Sequence, residues 1–130
     1  MKIFLDANIL FSASDLRSAT FRLLSLLRQH HETVTSPHAW EETRRNLEAK
    51  RAHLLTGLDQ LKSLVATTHA FRLPAAKEVI EKDQPILAGA IGASCTHLWT
   101  SDQRHFGHLY GRNIAGVLIC SSVQMAEEGL

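Results

Sequence analysis

The chain has 130 residues, of which 45% are hydrophobic, 21% charged and 6% aromatic, and its formal net charge at pH 7 is +1. This length predicts one domain spanning residues 1–130, and the apolar content excludes a disordered chain. No apolar run approaches the roughly 18 residues that a membrane-spanning helix needs, so no membrane partner is expected, and the nearly balanced charge neither requires nor excludes a nucleic-acid partner.

Short apolar runs alternate with amphipathic segments along the whole chain. In chain order, the patterns predict a strand at 2–5, a helical turn at 8–13, a helix at 17–30, a strand at 33–35, helices at 37–48 and 51–65, a strand at 66–70, helices at 74–81 and 86–93, strands at 97–100 and 114–120, and a last helix at 122–128. Strands separated by helices predict an α/β fold with a parallel sheet covered on both faces.

Both cysteines, Cys95 and Cys120, stand in apolar surroundings. Such a pair is typical of buried thiols in a cytosolic protein and does not resemble a zinc site or a disulfide framework. The sequence therefore predicts reduced, buried thiols and a cytoplasmic location.

Two aspartates directly follow predicted strands. Asp6 ends the first strand and Asp102 follows the strand at 97–100. In open α/β sheets, ligands bind outside the carboxyl ends of the strands, so these carboxylates become neighbours if the two strands are adjacent.

Two further acids are expected at the same edge of the sheet. Asp83 precedes the helix predicted at 86–93, and Glu42 lies in the second turn of the helix that Ser36 and Pro37 begin. Carboxylates brought close together repel one another, and a divalent cation offsets that cost. Oxygen ligands favour magnesium, with manganese as the alternative, and such an ion supports phosphodiester hydrolysis.

Each acid also has a purely structural interpretation. Asp6, Asp83 and Asp102 fit helix caps or turns, and Glu42 fits a solvated helix position. Between the adjacent glutamates, helical periodicity places Glu42 on the flank of the inward face and Glu41 further from the core. We therefore expect Glu42, and not Glu41, at the site.

Four segments together resemble the ordered motifs of the PIN domain family. The segments are Phe4–Leu10, Ser36–Glu42, Asp83–Ala88 and Trp99–Phe106. They follow one another in the family's order and span nearly the whole chain. The resemblance implies a single PIN-like domain with a parallel five-stranded sheet flanked by helices on both faces.

The same resemblance implies a metal-dependent endoribonuclease. Small single-domain members are often VapC-type toxins of bacterial toxin–antitoxin pairs, so it also implies an RNA substrate, an antitoxin partner and a homodimer. The positions that match the acidic metal site are Asp6, Glu42, Asp83 and Asp102, and the supporting polar positions are Asn8 and Ser101.

Two other functions stay open. Many family members carry a further acid shortly after the last motif, where this chain has Gln103, Arg104 and His105. That difference favours a non-catalytic PIN-like module that binds RNA or protein, whereas the four retained acids oppose it. A doubly wound nucleotide binder is disfavoured, because no glycine-rich phosphate loop follows the first strand.

Overall fold

The computed structural model describes residues 1–72 and 84–130. The predicted helix at 74–81 and the candidate site residue Asp83 lie outside the described residues.

Within the described ranges, the strands form one sheet in the order β3-β2-β1-β4-β6-β5. Their bounds are β1 Lys2–Leu5, β2 Glu32–Thr35, β3 Ala66–Thr67, β4 His97–Trp99, β5 Asn113–Ile114 and β6 Val117–Cys120. Each neighbouring pair is parallel except β5 and β6. The predicted α/β class is confirmed.

The helices of the described ranges come between these strands along the chain and after the last of them. Their bounds are α1 Ala7–Ala13, α2 Ala19–Leu27, α3 Pro37–Lys50, α4 Leu55–Leu61, α5 Gln84–Gly92, α6 Gln103–Phe106 and α7 Ser122–Gly129, with single 3₁₀ turns at Ala52–Leu54 and Gly107–Leu109. None of these helices is long and apolar enough to cross a membrane.

The central strand β1 is covered on both faces. Ile3, Phe4 and Leu5 are fully buried although alternate residues of a strand point to opposite faces. The Phe4 ring lies beneath Gly89 of α5, where an added Cβ would come within 3.1 Å of the ring. This double burial explains why a continuous apolar run, and not an alternating one, forms the strand.

The prediction of one strand at 114–120 is wrong, whereas the five parallel strands are present as β1, β2, β3, β4 and β6, with β5 as an additional antiparallel strand. Ala115 and Gly116 both adopt positive φ, at 52° and 90°, and join β5 to β6 as an antiparallel hairpin. Two central residues of positive φ are the signature of a type I′ turn, which matches the twist of paired strands. The Gly116 amide also donates to Oδ1 of Asn113 at 2.9 Å. Within residues 1–72 and 84–130, the sheet therefore has six strands, of which the edge strand β5 is antiparallel.

Other elements are also shorter than predicted, among them α2, which covers Ala19–Leu27 of the helix predicted at 17–30. The helix at 51–65 is divided into the 3₁₀ turn at Ala52–Leu54 and α4. The strand at 66–70 ends at Thr67, because its partner β2 ends at Thr35, after which Ser36 caps α3.

Both cysteines are free and buried, as the sequence predicts. Burial raises the pKa of the Cys95 and Cys120 thiols from the ordinary value of 9.0 to about 11. Because the pKa is raised in the folded state, the contribution of these thiols to the free energy of unfolding is fully present below about pH 9. It is lost as pH rises toward 11, because only the unfolded thiols ionise in that window.

We therefore expect the wild-type free energy of unfolding to fall between pH 9 and 11, by on the order of 2 kcal/mol per thiol. A Cys95→Ala/Cys120→Ala variant should show a distinctly shallower decline in urea titrations at pH 8, 9, 10 and 11. Equal slopes for the two proteins would contradict this expectation.

Candidate active site

The candidate site lies where the sheet changes its direction of winding. From β1 the chain builds outward through β2 and β3, and it then returns to place β4 on the other side of β1. Leu5 pairs with Trp99, and the Asp6 amide donates to the Trp99 carbonyl at 3.0 Å. The carboxyl ends of β1 and β4 are thus adjacent, which is the position where open α/β sheets bind ligands.

Asp6 is a buried carboxylate held by hydrogen bonds. Its side chain is the N-cap of α1 and accepts from the Ala7 amide at 2.7 Å through Oδ1. Oδ2 accepts from the Thr100 hydroxyl at 2.8 Å and from the Asn8 amide group at 3.2 Å. A carboxylate that is only 4% exposed needs such donors, and the positive end of the helix adds to them.

Thr100 connects Asp6, which follows β1, with Asp102, which lies in the loop after β4. While its hydroxyl donates to Asp6, its oxygen accepts from the Asp102 backbone amide at 3.1 Å. Asp102 in turn caps α6, accepting from the His105 amide at 3.1 Å. The cap interpretation of both aspartates is therefore correct, and capping leaves both carboxylates in the lining of one cleft.

Asn8 links α1 to the loop after β4. Its Oδ1 accepts from the Ser101 amide at 2.9 Å and from the Ser101 hydroxyl at 3.1 Å, while its Nδ2 donates to Asp6. The two polar residues expected to support the acids thus bond directly to one another. This arrangement fixes the distance between the segments that carry Asp6 and Asp102.

The cleft has a volume of about 290 Å³ and brings together residues from α1, α3 and the loop after β4. Its lining consists of Asp6, Ala7, Asn8, Phe11, Ser12, Glu42, Asn46, Lys50, Ser101 and Asp102. Three of the four predicted acids line it, together with both supporting residues. The fourth, Asp83, is outside the described residues.

The neighbouring glutamates of α3 have separate surroundings. Glu42 lines the cleft, whereas Glu41 faces another part of the surface. There Glu41 binds Arg44, whose hydrogen bond lowers the pKa of that carboxyl group. Arg44 also binds Glu48, so its charge is neutralised outside the cleft.

Sequence reasoning missed several residues at or beside the cleft. Asn46 and Lys50 follow Glu42 at intervals of four, which puts them on one stripe of α3, and that spacing could have found them. Thr100 and Tyr110 carry no comparable signal. The Tyr110 hydroxyl donates to the Thr100 carbonyl at 2.9 Å, and burial together with the charges of Asp102 and Asp6 raises the pKa of Tyr110.

The oxygen atoms that line this cleft are suitable ligands for a hard cation. They are carboxylate, amide and hydroxyl oxygens, the ligand types of magnesium. In residues 1–72 and 84–130, no three acidic, histidine or cysteine side chains are close enough to form a metal cluster. Magnesium is compatible with this spacing, because it usually keeps several waters and uses one or two carboxylates plus substrate phosphates.

Fold and cleft together define an α/β domain with an acidic, oxygen-lined site at its topological switch point. Two solved structures have the same fold. One is a chain of VapBC2 from Rickettsia felis, from a crystal structure of that complex bound to a DNA fragment from its promoter. It matches with a TM-score of 0.66 at 15% identity, over 93% of this chain and 98% of that chain. A chain of VapBC-1 from nontypeable Haemophilus influenzae matches with a TM-score of 0.61 at 12% identity over 95% and 99%.

These similarities confirm the fold expected from the PIN-like motifs. No protein-family model and no curated protein matches the sequence. At identities this low, the shared architecture shows the fold, and the function has to be argued from the chemistry of the cleft.

Proposed function

We propose that this protein is a metal-dependent endoribonuclease that hydrolyses RNA phosphodiester bonds, acting as the toxin of a toxin–antitoxin pair. The observation that carries the proposal is the adjacency of Asp6 and Asp102 at the switch point, with Glu42 lining the same cleft. Carboxylates that line one cleft are the type of ligand that Mg²⁺ uses when it supports phosphodiester chemistry.

In this proposal, Asp6, Asp102, Glu42 and the predicted ligand Asp83 are the candidate ligands of Mg²⁺ or Mn²⁺, of which one or two would bind the ion directly and the others through its water molecules. When bound, the ion supplies positive charge for the phosphate and lowers the pKa of a water molecule. Asn8 and Thr100 orient the Asp6 carboxylate, and Asn8 also holds Ser101 in place. Lys50, at the end of α3, lines the cleft and attracts the RNA backbone.

The primary test is cleavage of RNA by the purified protein. Synthetic single-stranded and hairpin RNAs would be incubated with Mg²⁺, Mn²⁺ or EDTA, and the products separated on denaturing gels. We expect cleavage with either ion and none with EDTA. RNA binding without cleavage under all three conditions would instead establish the alternative, a non-catalytic PIN-like binding module.

The fold shared with VapBC structures supports a protein antitoxin as the partner and motivates a test for a homodimer. Co-expression with the product of a small adjacent reading frame should inhibit cleavage and give a complex that copurifies. Light scattering of the protein alone would determine whether it forms the expected dimer.

A second measurement addresses the metal directly. A ligand that binds only the folded state stabilises it by RT ln(1 + [L]/Kd), so Mg²⁺ at ten times its Kd should add about 1.4 kcal/mol. The melting temperature at pH 7.5 should then rise by about 5 °C over that in EDTA.

A test variant and a matched control show whether the acids of the cleft cause this rise in melting temperature. Asp102→Asn should lose most of it, whereas Glu41→Gln, which changes an acid on the same protein but outside the cleft, should retain it. An unchanged wild-type melting temperature across a millimolar Mg²⁺ range would contradict the metal site.

A further inference from the structure

The Asp102 carboxylate is held on both oxygens by a single residue. The His105 backbone amide donates to Oδ1 at 3.1 Å, and Nδ1 of the His105 ring lies 2.6 Å from Oδ2. Asp102 and His105 are both partly buried, with side chains 25% and 19% exposed. One residue thus supplies a helix-cap bond and a side-chain bond to the same carboxylate.

The chemistry of the pair determines which atom donates. An ionised carboxylate only accepts hydrogen bonds, so the proton lies on Nδ1 of His105 and Nδ1 donates. A separation of 2.6 Å is slightly shorter than the roughly 2.7–2.9 Å of charge-assisted bonds from nitrogen to a carboxylate, so the contact is a close one. Since each carboxylate oxygen has about two acceptor positions, both oxygens of Asp102 keep a position for a cation.

We propose that His105 is a positioning residue that holds the Asp102 carboxylate in the orientation that binds the metal. This proposal rests on the proposed function. Asp6 receives donors from three residues, Ala7, Asn8 and Thr100. Within residues 1–72 and 84–130, the side chain that reaches the Asp102 carboxylate is the His105 ring alone.

Loss of that bond would leave Asp102 with the cap contact on Oδ1 and a carboxylate free to rotate about its side-chain bonds. Ordering the carboxylate would then fall to the metal itself, and the metal affinity would decrease. Removing a residue that hydrogen-bonds to a metal ligand typically weakens metal affinity or activity about 10- to 100-fold.

Two substitutions separate the hydrogen bond from the packing of the ring. His105→Phe keeps an aromatic ring and removes the donor. His105→Asn removes the ring but places an amide nitrogen at the same number of bonds from Cα as Nδ1, so it restores the donor.

The experiment measures Mn²⁺ binding to the purified full chain by calorimetry, without RNA, and kcat on a synthetic RNA. We expect His105→Phe to weaken Mn²⁺ binding by about 10-fold and His105→Asn to remain within about 3-fold of wild type. Melting temperatures in EDTA verify that both variants are folded.

Every remaining outcome of the experiment contradicts a different part of the proposal. Wild-type Mn²⁺ affinity in a folded His105→Phe variant would exclude the positioning role while leaving the proposed function intact. A loss in His105→Asn without a loss in His105→Phe would assign the effect to the ring and not to its donor. Equal losses in both variants would contradict the donor role, because the restored donor would fail to rescue Mn²⁺ binding. No Mn²⁺ binding by the wild type would overturn the metal-dependent function, and the role of His105 with it.

Discussion

Replacement of Asp6 by asparagine is expected to reduce RNA cleavage by about 100-fold or more, the range for removing one group that stabilises charge in a transition state. The substitution removes one negative charge from the cleft with almost no change in shape. The N-cap of α1 should survive, because asparagine caps helices as well as aspartate does. Cleavage rates with Mg²⁺ and circular dichroism melts would be compared for the wild type and Asp6→Asn.

The adjacent glutamates of α3 offer an internal control for this result. Glu42→Gln should reduce cleavage nearly as much as Asp6→Asn, whereas Glu41→Gln should have a mild effect, because Glu41 binds Arg44 away from the cleft. Both substitutions remove one charge from one helix. If Glu41→Gln inactivates the protein and Glu42→Gln does not, the assignment of the cleft is wrong.

Replacement of Gly57 by alanine should destabilise the fold by about 3 kcal/mol, the upper end for overpacking a core. A Cβ at this position of α4 would lie 1.8 Å from the carbonyl oxygen of Ser14, which follows α1. Backbone atoms cannot rotate away as a flexible side chain can, so α4 would have to move away from α1. Thermal unfolding should show a decrease of about 10 °C in the melting temperature.

Gly107 provides the matched control. Its φ of −56° suits any residue, and an added Cβ would make only an ordinary contact of 3.6 Å with the Gln103 side chain. Gly107→Ala should therefore change stability by no more than about 0.5 kcal/mol. Similar losses for the two variants would show that α1 and α4 are not in such close contact.

The elements that were predicted well have local causes. The strand at Lys2–Leu5 ends where its apolar run meets Asp6, and α3 begins at the predicted Ser36 cap, whose side chain accepts from the Ala39 amide. The hairpin at Ala115 and Gly116 was not predicted, because an alanine at positive φ interrupts no apolar pattern. Its cause is the pairing of Ile114 with Val117, which no sequence period reveals.

The candidate site likewise combines features that have local causes with features that depend on the tertiary structure. Its strand-ending aspartates, the cap at Ser36 and the choice of Glu42 over Glu41 follow from neighbours within one or two turns of the chain. The cap and ring contacts between Asp102 and His105 are equally local, because the two residues are three positions apart.

The sequence by itself thus determined which acids end strands and cap helices, since these depend on short-range hydrogen bonds and periodicity. Only the tertiary structure decided that β1 and β4 are adjacent, that Thr100 joins Asp6 to Asp102, and that α3 brings Glu42 and Lys50 to their cleft. The physical reason is that strand order and helix packing depend on how buried surfaces fit together between segments far apart in the chain. The Thr43–Ala7 hydrogen bond between α3 and α1 spans 36 residues, and the Asp6–Thr100 hydrogen bond spans 94.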